Sequence, residues 1–211
     1  MRSARLITQG QPLEIGISEK PRPERGEILV KLDACGVCHT DVHIRDGDEE
    51  LLEGTLPLTQ GNEGIGKIVE LGEDVTGFAL GDRVAAPWLH DTCLACRDCL
   101  TGHENICASQ RAHGMQVDGA FADYVRVKAD FTVPVPDALD AVTAAPLLCA
   151  GLTAYGAVRK AALAPGQRCA IFGCGGLGQY GIRLAALAGA SVVAIDTDPA
   201  KLDVARSLGA Q

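Results

Sequence analysis

The chain has 211 residues, of which 47% are hydrophobic and 22% charged, and its 19 basic and 27 acidic side chains give a formal net charge of −8. This composition is typical of a folded globular protein and excludes a chain that is mostly disordered. The excess of negative charge argues against nucleic acid and anionic membranes as partners. No apolar run is long enough to cross a membrane.

The chain contains 9 cysteines, an odd number, and its first residues lack the apolar core and small-residue cleavage site of a signal peptide. Disulfide frameworks use paired cysteines and belong to oxidising compartments. The clustered cysteine spacing therefore predicts metal ligation in a reducing cytoplasm.

Residues 1–145 are predicted to form a β-rich domain. Short apolar runs between turn-forming pairs predict strands at residues 27–34, 66–72, 82–87, 122–127 and 131–135. Because no βαβ alternation occurs here, we expect a mostly antiparallel, barrel-like fold.

The pattern changes near residues 140–150, and residues 146–211 are predicted to begin an α/β domain. An alanine- and leucine-rich stretch predicts a helix at 143–160, which ends before Pro165-Gly166. A strand at 168–172, a helix at 176–188, a strand at 191–195 and a helix at 199–208 are expected to follow. This βαβα order is the start of a doubly wound parallel sheet of the Rossmann type.

The first βα turn of this sheet carries a glycine-rich motif, Gly173-Cys174-Gly175-Gly176-Leu177-Gly178. Its place between an apolar strand and a helix favours a pyrophosphate site, with the first glycine turning the chain and the last allowing close helix packing. Asp196, which ends the second strand, predicts hydrogen bonds to the ribose of NAD and repulsion of the extra phosphate of NADP. The alternative is a glycine-rich turn that binds no ligand.

A compact cysteine motif lies at about residues 90–110 and consists of Cys93, Cys96, Cys99 and Cys107. Four thiolates at this spacing in a cytoplasmic chain predict a closed, tetrahedral zinc (Zn²⁺) site with a structural role. The alternative is four unrelated buried cysteines. The loop is rich in polar residues, so a bound metal would order backbone that burial alone could not.

Three further segments resemble the zinc-dependent alcohol dehydrogenases of the medium-chain dehydrogenase/reductase family, close to the bacterial and yeast-type members. They are Gly36-Val37-Cys38-His39-Thr40-Asp41-Val42-His43, Gly61-Asn62-Glu63-Gly64 and Leu147-Leu148-Cys149-Ala150-Gly151-Leu152-Thr153. The resemblance covers the whole chain. It implies a GroES-like (chaperonin-10-like) catalytic domain with a structural zinc lobe, followed by a Rossmann domain that binds NAD.

The resemblance also implies roles for the first segment in oxidising a small alcohol to its aldehyde or ketone. Thr40 would contact the substrate hydroxyl and pass its proton toward solvent through the ribose and His43. His39 would lie near the pyrophosphate. The hydride would go to the nicotinamide of NAD.

The catalytic zinc site departs from the family in one ligand. The resemblance implies Cys38 and Cys149 as ligands and Asp41 as the carboxylate behind them, but Asn62 stands where the family has histidine. An amide is a poor zinc ligand beside thiolate and imidazole, and Glu63 is the residue that could take the vacant place. We therefore expect a weakened catalytic zinc or none.

The chain ends after two strands of a sheet that has six in the family, so on the order of a hundred residues are expected beyond it. This predicts either a truncated copy of a longer enzyme or a homo-oligomer whose partner chains cover the exposed strands. Two other functions compete with the dehydrogenase. One is a non-catalytic zinc-binding relic, which Asn62 favours, and the other is a zinc-free quinone or enoyl reductase, which the cysteine motif opposes.

Overall fold

The computed structural model describes every residue, Met1–Gln211, in two compact units, Met1–Leu148 and Cys149–Gln211. The strands of the first unit are β1 (Arg2–Leu6), β2 (Glu14–Ile17), β3 (Glu27–Cys35), β4 (Leu58–Thr59), β5 (Gly64–Leu71), β6 (Arg83–Ala86), β7 (Leu89–Asp91), β8 (Arg111–Ala112) and β9 (Tyr124–Lys128). Its helices are α1 (His39–Asp46), α2 (Arg97–Leu100) and α3 (Ala141–Ala144), with 3₁₀ turns at Glu104–Ile106, Ala129–Phe131 and Ala145–Leu148.

The largest sheet of the first unit is antiparallel and has the order β6-β5-β3-β9. Its buried face is formed by aliphatic side chains of these four strands, namely Ile28, Val30, Ile68, Val84, Ala86, Val125 and Val127. The predicted strands at 27–34, 66–72, 82–87 and 122–127 are therefore confirmed. A three-stranded sheet, β2-β1-β4, and the pair β7-β8 accompany it, and none of these sheets closes on itself.

The strand predicted at 131–135 is wrong. Residues 129–131 form a 3₁₀ turn, and the segment after it makes only an isolated bridge between Pro134 and Val84. Val133 O accepts from Ala85 N–H and Val135 N–H donates to Arg83 O on either side of this bridge, so the pairing with β6 is limited to a single bridge.

The single helix predicted at 143–160 is divided. The chain forms α3, then the 3₁₀ turn Ala145–Leu148, and only then a long helix from Ala150. Pro146 cannot donate a helical hydrogen bond, and Cys149 has φ −124° and ψ −72°, outside the helical region.

The second unit contains α4 (Ala150–Lys160), β10 (Arg168–Phe172), α5 (Gly176–Leu187), β11 (Ser191–Ile195) and α6 (Pro199–Ser207). The two strands pair in parallel from Arg168 opposite Ser191 to Phe172 opposite Ile195, which confirms the predicted βαβα order. Ile182 and Ala185 of α5 pack with Val192 of β11 and Ala205 of α6 in the buried core.

No single helix is long and apolar enough to span a membrane. The stretches Ala141–Leu148 and Ala150–Lys160 meet that criterion only when they are counted together across the break between them.

Candidate metal and nucleotide sites

The four cysteines of the predicted zinc motif come together. Sγ–Sγ distances are 3.5 Å for Cys96–Cys99, 3.6 Å for Cys107–Cys93 and 3.9 Å for Cys93–Cys99, and all four sulfurs lie within 4.8 Å of one another. A tetrahedron with zinc–sulfur bonds of about 2.3 Å has edges of roughly 3.8 Å. The sulfur positions therefore fit one tetrahedral zinc ion with no remaining coordination position.

The local backbone favours the thiolate form that zinc requires. Cys96 precedes α2, and its N–H points at Cys93 Sγ at 3.3 Å, while Ser109 N–H points at Cys107 Sγ at 3.4 Å. The backbone N–H groups of Ala95 and Cys96 lower the pKa of Cys93 to about 6. Cys99 and Cys107 are buried, Cys96 is half-buried and Cys93 is exposed, so the cluster lies at the edge of the first unit with two of its cysteines inside.

The segment resembling the catalytic-zinc region forms the start of α1, which the sequence analysis did not predict. Asp41 is buried, and its carboxylate accepts hydrogen bonds from Cys38 N–H at 2.9 Å and Gly61 N–H at 3.0 Å. Burial raises the pKa of Asp41 to about 6, although these two backbone donors act in the opposite direction. Asp41 thus ties the start of α1 to the segment that contains Glu63.

Cys38 and Glu63 place two side chains that could bind a metal close together. Cys38 Sγ and a Glu63 carboxylate oxygen lie within 4.8 Å of each other, and Glu63 is buried. A Cβ added to Gly36 would lie 1.9 Å from Glu63 Oε2, so a glycine is needed for the carboxylate to occupy this position. Cys35 is different, because burial raises the pKa of its thiol to about 12, and its Sγ donates to Gly36 O.

Asn62 is also buried, and neither its Oδ1 nor its Nδ2 has a hydrogen-bond partner. Unpaired buried polar atoms are rare and point to a missing ligand or water. Asn62 directly precedes Glu63 in the chain, and an amide oxygen is a donor less suited to zinc than the histidine of the family.

The predicted catalytic residues lie along α1. Thr40 Oγ1 is 3.5 Å from Cys38 Sγ, and the rings of His39 and His43 lie 4.6 Å apart between centroids. His43 Nδ1 lies 2.9 Å from Asp48 Oδ2. Asp48 was missed by the sequence analysis, and its only sequence clue is its place just beyond the end of the helix.

Cys149 is the first residue of the second unit. It is half-buried and immediately precedes α4, with its carbonyl accepting the N–H of Thr153. The short helix and 3₁₀ turn before it belong to the first unit, so Cys149 occupies the junction between the two units along the chain.

The glycine motif forms the predicted strand–turn–helix arrangement. Gly173 has φ +84°, a left-handed conformation that L side chains rarely adopt, and Gly175 precedes α5. A Cβ on Gly178 would lie 1.8 Å from Gly173 O, whereas nothing lies within 4 Å of a Cβ on Gly175 or Gly176. The turn is therefore tight on its inner side and open where a pyrophosphate would approach, while Leu177 is exposed beside it.

Asp196 lies at the end of β11, next to this turn. Its Oδ2 accepts the N–H of Cys174 at 2.6 Å and its Oδ1 accepts the N–H of Asp198 at 2.9 Å. These two backbone donors lower the pKa of the carboxyl. The carboxylate is thus held ionised beside the glycine turn, in a form that can accept hydrogen bonds from a ribose.

A buried histidine pair lies in the first unit, outside the predicted sites. His90 Nδ1 and His113 Nε2 are 3.0 Å apart, and His113 Nδ1 is 2.8 Å from Pro87 O. His113 Nε2 also lies 3.1 Å from Arg126 O, so both ring nitrogens of His113 face a backbone carbonyl acceptor. Burial and the neighbouring His113 lower the pKa of His90 to about 4.

Comparison with known proteins identifies the type of chain. The family model described as the alcohol dehydrogenase GroES-like domain matches residues 24–137. An alcohol dehydrogenase of Geobacillus stearothermophilus is 44% identical over 210 residues, which are 100% of this chain and 62% of that protein. The chain therefore spans less than two thirds of the length of this curated relative.

Solved structures agree with this comparison. A cobalt- and zinc-bound thermostable alcohol dehydrogenase from Pyrobaculum aerophilum is 32% identical with a TM-score of 0.91, over 100% of this chain and 64% of that one. An NAD-dependent alcohol dehydrogenase is 32% identical with a TM-score of 0.90, over 100% of this chain and 62% of that one. Similar proteins thus include metal-bound and NAD-dependent alcohol dehydrogenases.

Proposed function

This chain belongs to the alcohol dehydrogenase GroES-like domain family, and from that premise we propose that it serves the zinc-dependent, NAD-linked oxidation of a small alcohol to an aldehyde or ketone. The observation that carries the proposal is the start of α1, where a metal-binding thiol, a buried carboxylate and a hydroxyl converge. These groups are Cys38, Glu63 and Thr40. We assign residues 1–145 to a GroES-like catalytic domain and residues 146–211 to an incomplete NAD-binding domain.

The proposed catalytic zinc ligands are Cys38, Glu63 and Cys149, while Cys93, Cys96, Cys99 and Cys107 hold a structural zinc. A zinc ion at the first site would polarise the alcohol oxygen and lower the pKa of its hydroxyl. The residue types suit these tasks, since thiolates and carboxylates are established zinc donors.

Side chains of α1 then orient the alcohol and move its proton. Thr40 Oγ1 accepts the proton of the substrate hydroxyl and donates its own toward the ribose and His43. Asp48 Oδ2, 2.9 Å from His43 Nδ1, orients the imidazole ring. Asp41 contributes by fixing the backbone of Cys38.

The second unit supplies the proposed site for the adenosine half of NAD. The open approach at Gly175 and Gly176 and the free N–H groups at the start of α5 suit a pyrophosphate. Asp196 suits the ribose hydroxyls and disfavours NADP. His39 is proposed to face the pyrophosphate from the first unit.

The activity is tested by mixing zinc-loaded protein, NAD and a primary alcohol and measuring formation of reduced nicotinamide. We expect Thr40→Ala to lower kcat by about 10²-fold and Thr40→Ser to keep most of it, because the serine preserves the hydroxyl. Equal activity of Thr40→Ala and wild type would refute the assignment of Thr40. No reduced nicotinamide with zinc-loaded wild type would refute catalysis by this chain.

A second function is favoured by one observation. Asn62 replaces a good zinc ligand with a buried, unpaired amide, which suits a non-catalytic zinc-binding protein that retains only the four-cysteine metal. That alternative requires that Cys38→Ser leave the zinc content unchanged. The dehydrogenase requires that the same substitution remove zinc.

We further propose a reducing, cytoplasmic location and self-association. All 9 cysteines are free of disulfides, which supports the location. Phe172 is exposed on β10 with 77% of its surface accessible, and such an apolar residue suits burial by another chain.

A further inference from the structure

The side chain of Asn62 has an unusual environment. It is 1% exposed, and neither its carbonyl oxygen nor its amide nitrogen finds a hydrogen-bond partner in the protein. Leaving such a group unpaired in the interior has a free-energy cost, because its hydrogen bonds to water are lost without replacement. An apolar residue of similar size would avoid this cost, so the amide is explained best by a ligand that it contacts.

The backbone around Asn62 is fixed to the metal-donor segment on both sides. Gly61 N–H binds Asp41 Oδ1, and the other oxygen of Asp41 binds Cys38 N–H. On the far side, Gly36 N–H binds Glu63 O at 3.1 Å, and the Glu63 carboxylate lies within 4.8 Å of Cys38 Sγ. Asn62 is therefore held between two residues that are both anchored to the Cys38 segment.

We propose that Asn62 is a metal ligand of this chain, which binds through its amide oxygen beside Cys38 and Glu63, and that this neutral donor makes the metal readily exchangeable. The inference rests on the proposed function, because it needs a metal at Cys38. It goes further by assigning Asn62 a direct role and by predicting how firmly the metal is held. Amide oxygen binds zinc and cobalt more weakly than carboxylate or imidazole does.

Three substitutions separate this role from a purely structural one. Asn62→Asp keeps the shape and adds a charged donor, so it should tighten metal binding by about tenfold or more, within the range that ligand-environment changes produce. The same variant should melt at a lower temperature without metal, because its carboxylate is then buried and unpaired. Asn62→His should also tighten binding, whereas Asn62→Leu should weaken it.

Asn62→Leu gives the opposite signature in the metal-free protein. An apolar side chain of similar size has no polar atoms that need a partner. Replacing the unpaired amide by it therefore removes the free-energy cost of burying that amide, and the Tm should rise. A structural amide that had partners would give a lower Tm on the same change.

The experiment uses the full chain with zinc kept in the four-cysteine loop and the second site emptied by mild chelation, verified by metal analysis. Co²⁺ is then titrated, its thiolate charge-transfer absorption reports binding at Cys38, and Tm is recorded with and without the metal. Cys38→Ser serves as the matched variant that should weaken this absorption, because one of the two proposed thiolate ligands is removed.

The expected result is tighter cobalt binding for Asn62→Asp and Asn62→His, weaker binding for Asn62→Leu, and a raised metal-free Tm for Asn62→Leu alone. Unchanged cobalt affinity in all three variants, while Cys38→Ser weakens the cobalt absorption, would overturn the role of Asn62 and leave the proposed function standing. If Cys38→Ser also leaves the cobalt signal unchanged, the proposed catalytic metal itself is refuted.

Discussion

The Asp196 carboxylate accepts a 2.6 Å hydrogen bond from the backbone N–H of Cys174, which joins the end of β11 to the glycine turn after β10. The residue proposed to select NAD by its ribose therefore also holds the turn that is proposed to receive the pyrophosphate. The two halves of the dinucleotide site are coupled through one side chain.

This coupling gives a prediction for Asp196→Ala. We expect the affinity for NAD to fall about 10-fold, because the ribose partner is lost and the turn loses its anchor. Isothermal titration with NAD measures the effect. Asp203→Ala is the control, since Asp203 is exposed on α6 and pairs only with Arg206. NAD binding that is equal in Asp196→Ala and wild type would contradict the proposed role.

The two glycines at the start of α5 should respond differently to alanine. A Cβ at Gly178 would overlap Gly173 O, whereas a Cβ at Gly176 meets no atom within 4 Å. We expect Gly178→Ala to lower the free energy of unfolding by about 1–3 kcal/mol. Gly176→Ala should leave it within about 1 kcal/mol of wild type or raise it, because alanine favours a helix. Chemical denaturation checks both values, and equal losses would contradict the geometry of the turn.

Asp41 should stabilise the first unit through its two backbone hydrogen bonds. Asp41→Ala leaves the N–H groups of Cys38 and Gly61 without their acceptor, so we expect a loss of roughly 2–5 kcal/mol in the free energy of unfolding. The Asp140 carboxylate accepts a hydrogen bond from Thr143 N–H at the exposed start of α3, so Asp140→Ala should lower the free energy of unfolding by less. Denaturant titration of both variants tests the difference, and a smaller loss for Asp41→Ala than for Asp140→Ala would count against it.

The histidine pair predicts a pH dependence of stability. Burial and His113 lower the pKa of His90 to about 4, below its value of about 6.5 in an unfolded chain. Between these values the unfolded state binds more protons, so protonation favours unfolding as the pH falls. We expect His90 to contribute a loss on the order of 3 kcal/mol between pH 6.5 and about 4.

The measurement is the free energy of unfolding of wild type and His90→Gln across this pH range. His90→Gln should lose less free energy of unfolding on acidification than wild type does. The control variant His103→Gln, at an exposed position, should lose as much as wild type does. Parallel pH curves for wild type and His90→Gln would show that His90 is not the titrating group.

The sequence predicted those parts of the molecule whose interactions are local. The apolar runs that became β3 and β10 and the glycine motif before α5 carry their structure in residue spacing. Helix α1 was missed because its polar residues, His39 to Asp41, are stabilised by a bond between the Asp41 side chain and Cys38 N–H. Such a bond is not visible in hydrophobic periodicity.

In the candidate sites, too, the sequence predicted the features that depend on residue spacing and missed those that depend on tertiary contacts. The spacing of the four clustered cysteines was enough to predict that their sulfurs come together, and the substitution at Asn62 was evident from the family resemblance. The unpaired state of the Asn62 amide and the partnership of His43 with Asp48 depend on tertiary burial and on the end of α1, so only the structure reveals them.

The account as a whole depends on metal held by cysteine sulfur, and zinc content per chain tests this most directly. Zinc-loaded, desalted wild type should retain about one zinc ion after mild chelation, held in the four-cysteine loop, and Cys99→Ser should retain none. Cys169→Ser, which changes a cysteine of the second unit outside the loop, should retain the same zinc as wild type. Zinc-free wild type after loading, or a Cys99→Ser variant with undiminished zinc, would contradict the account.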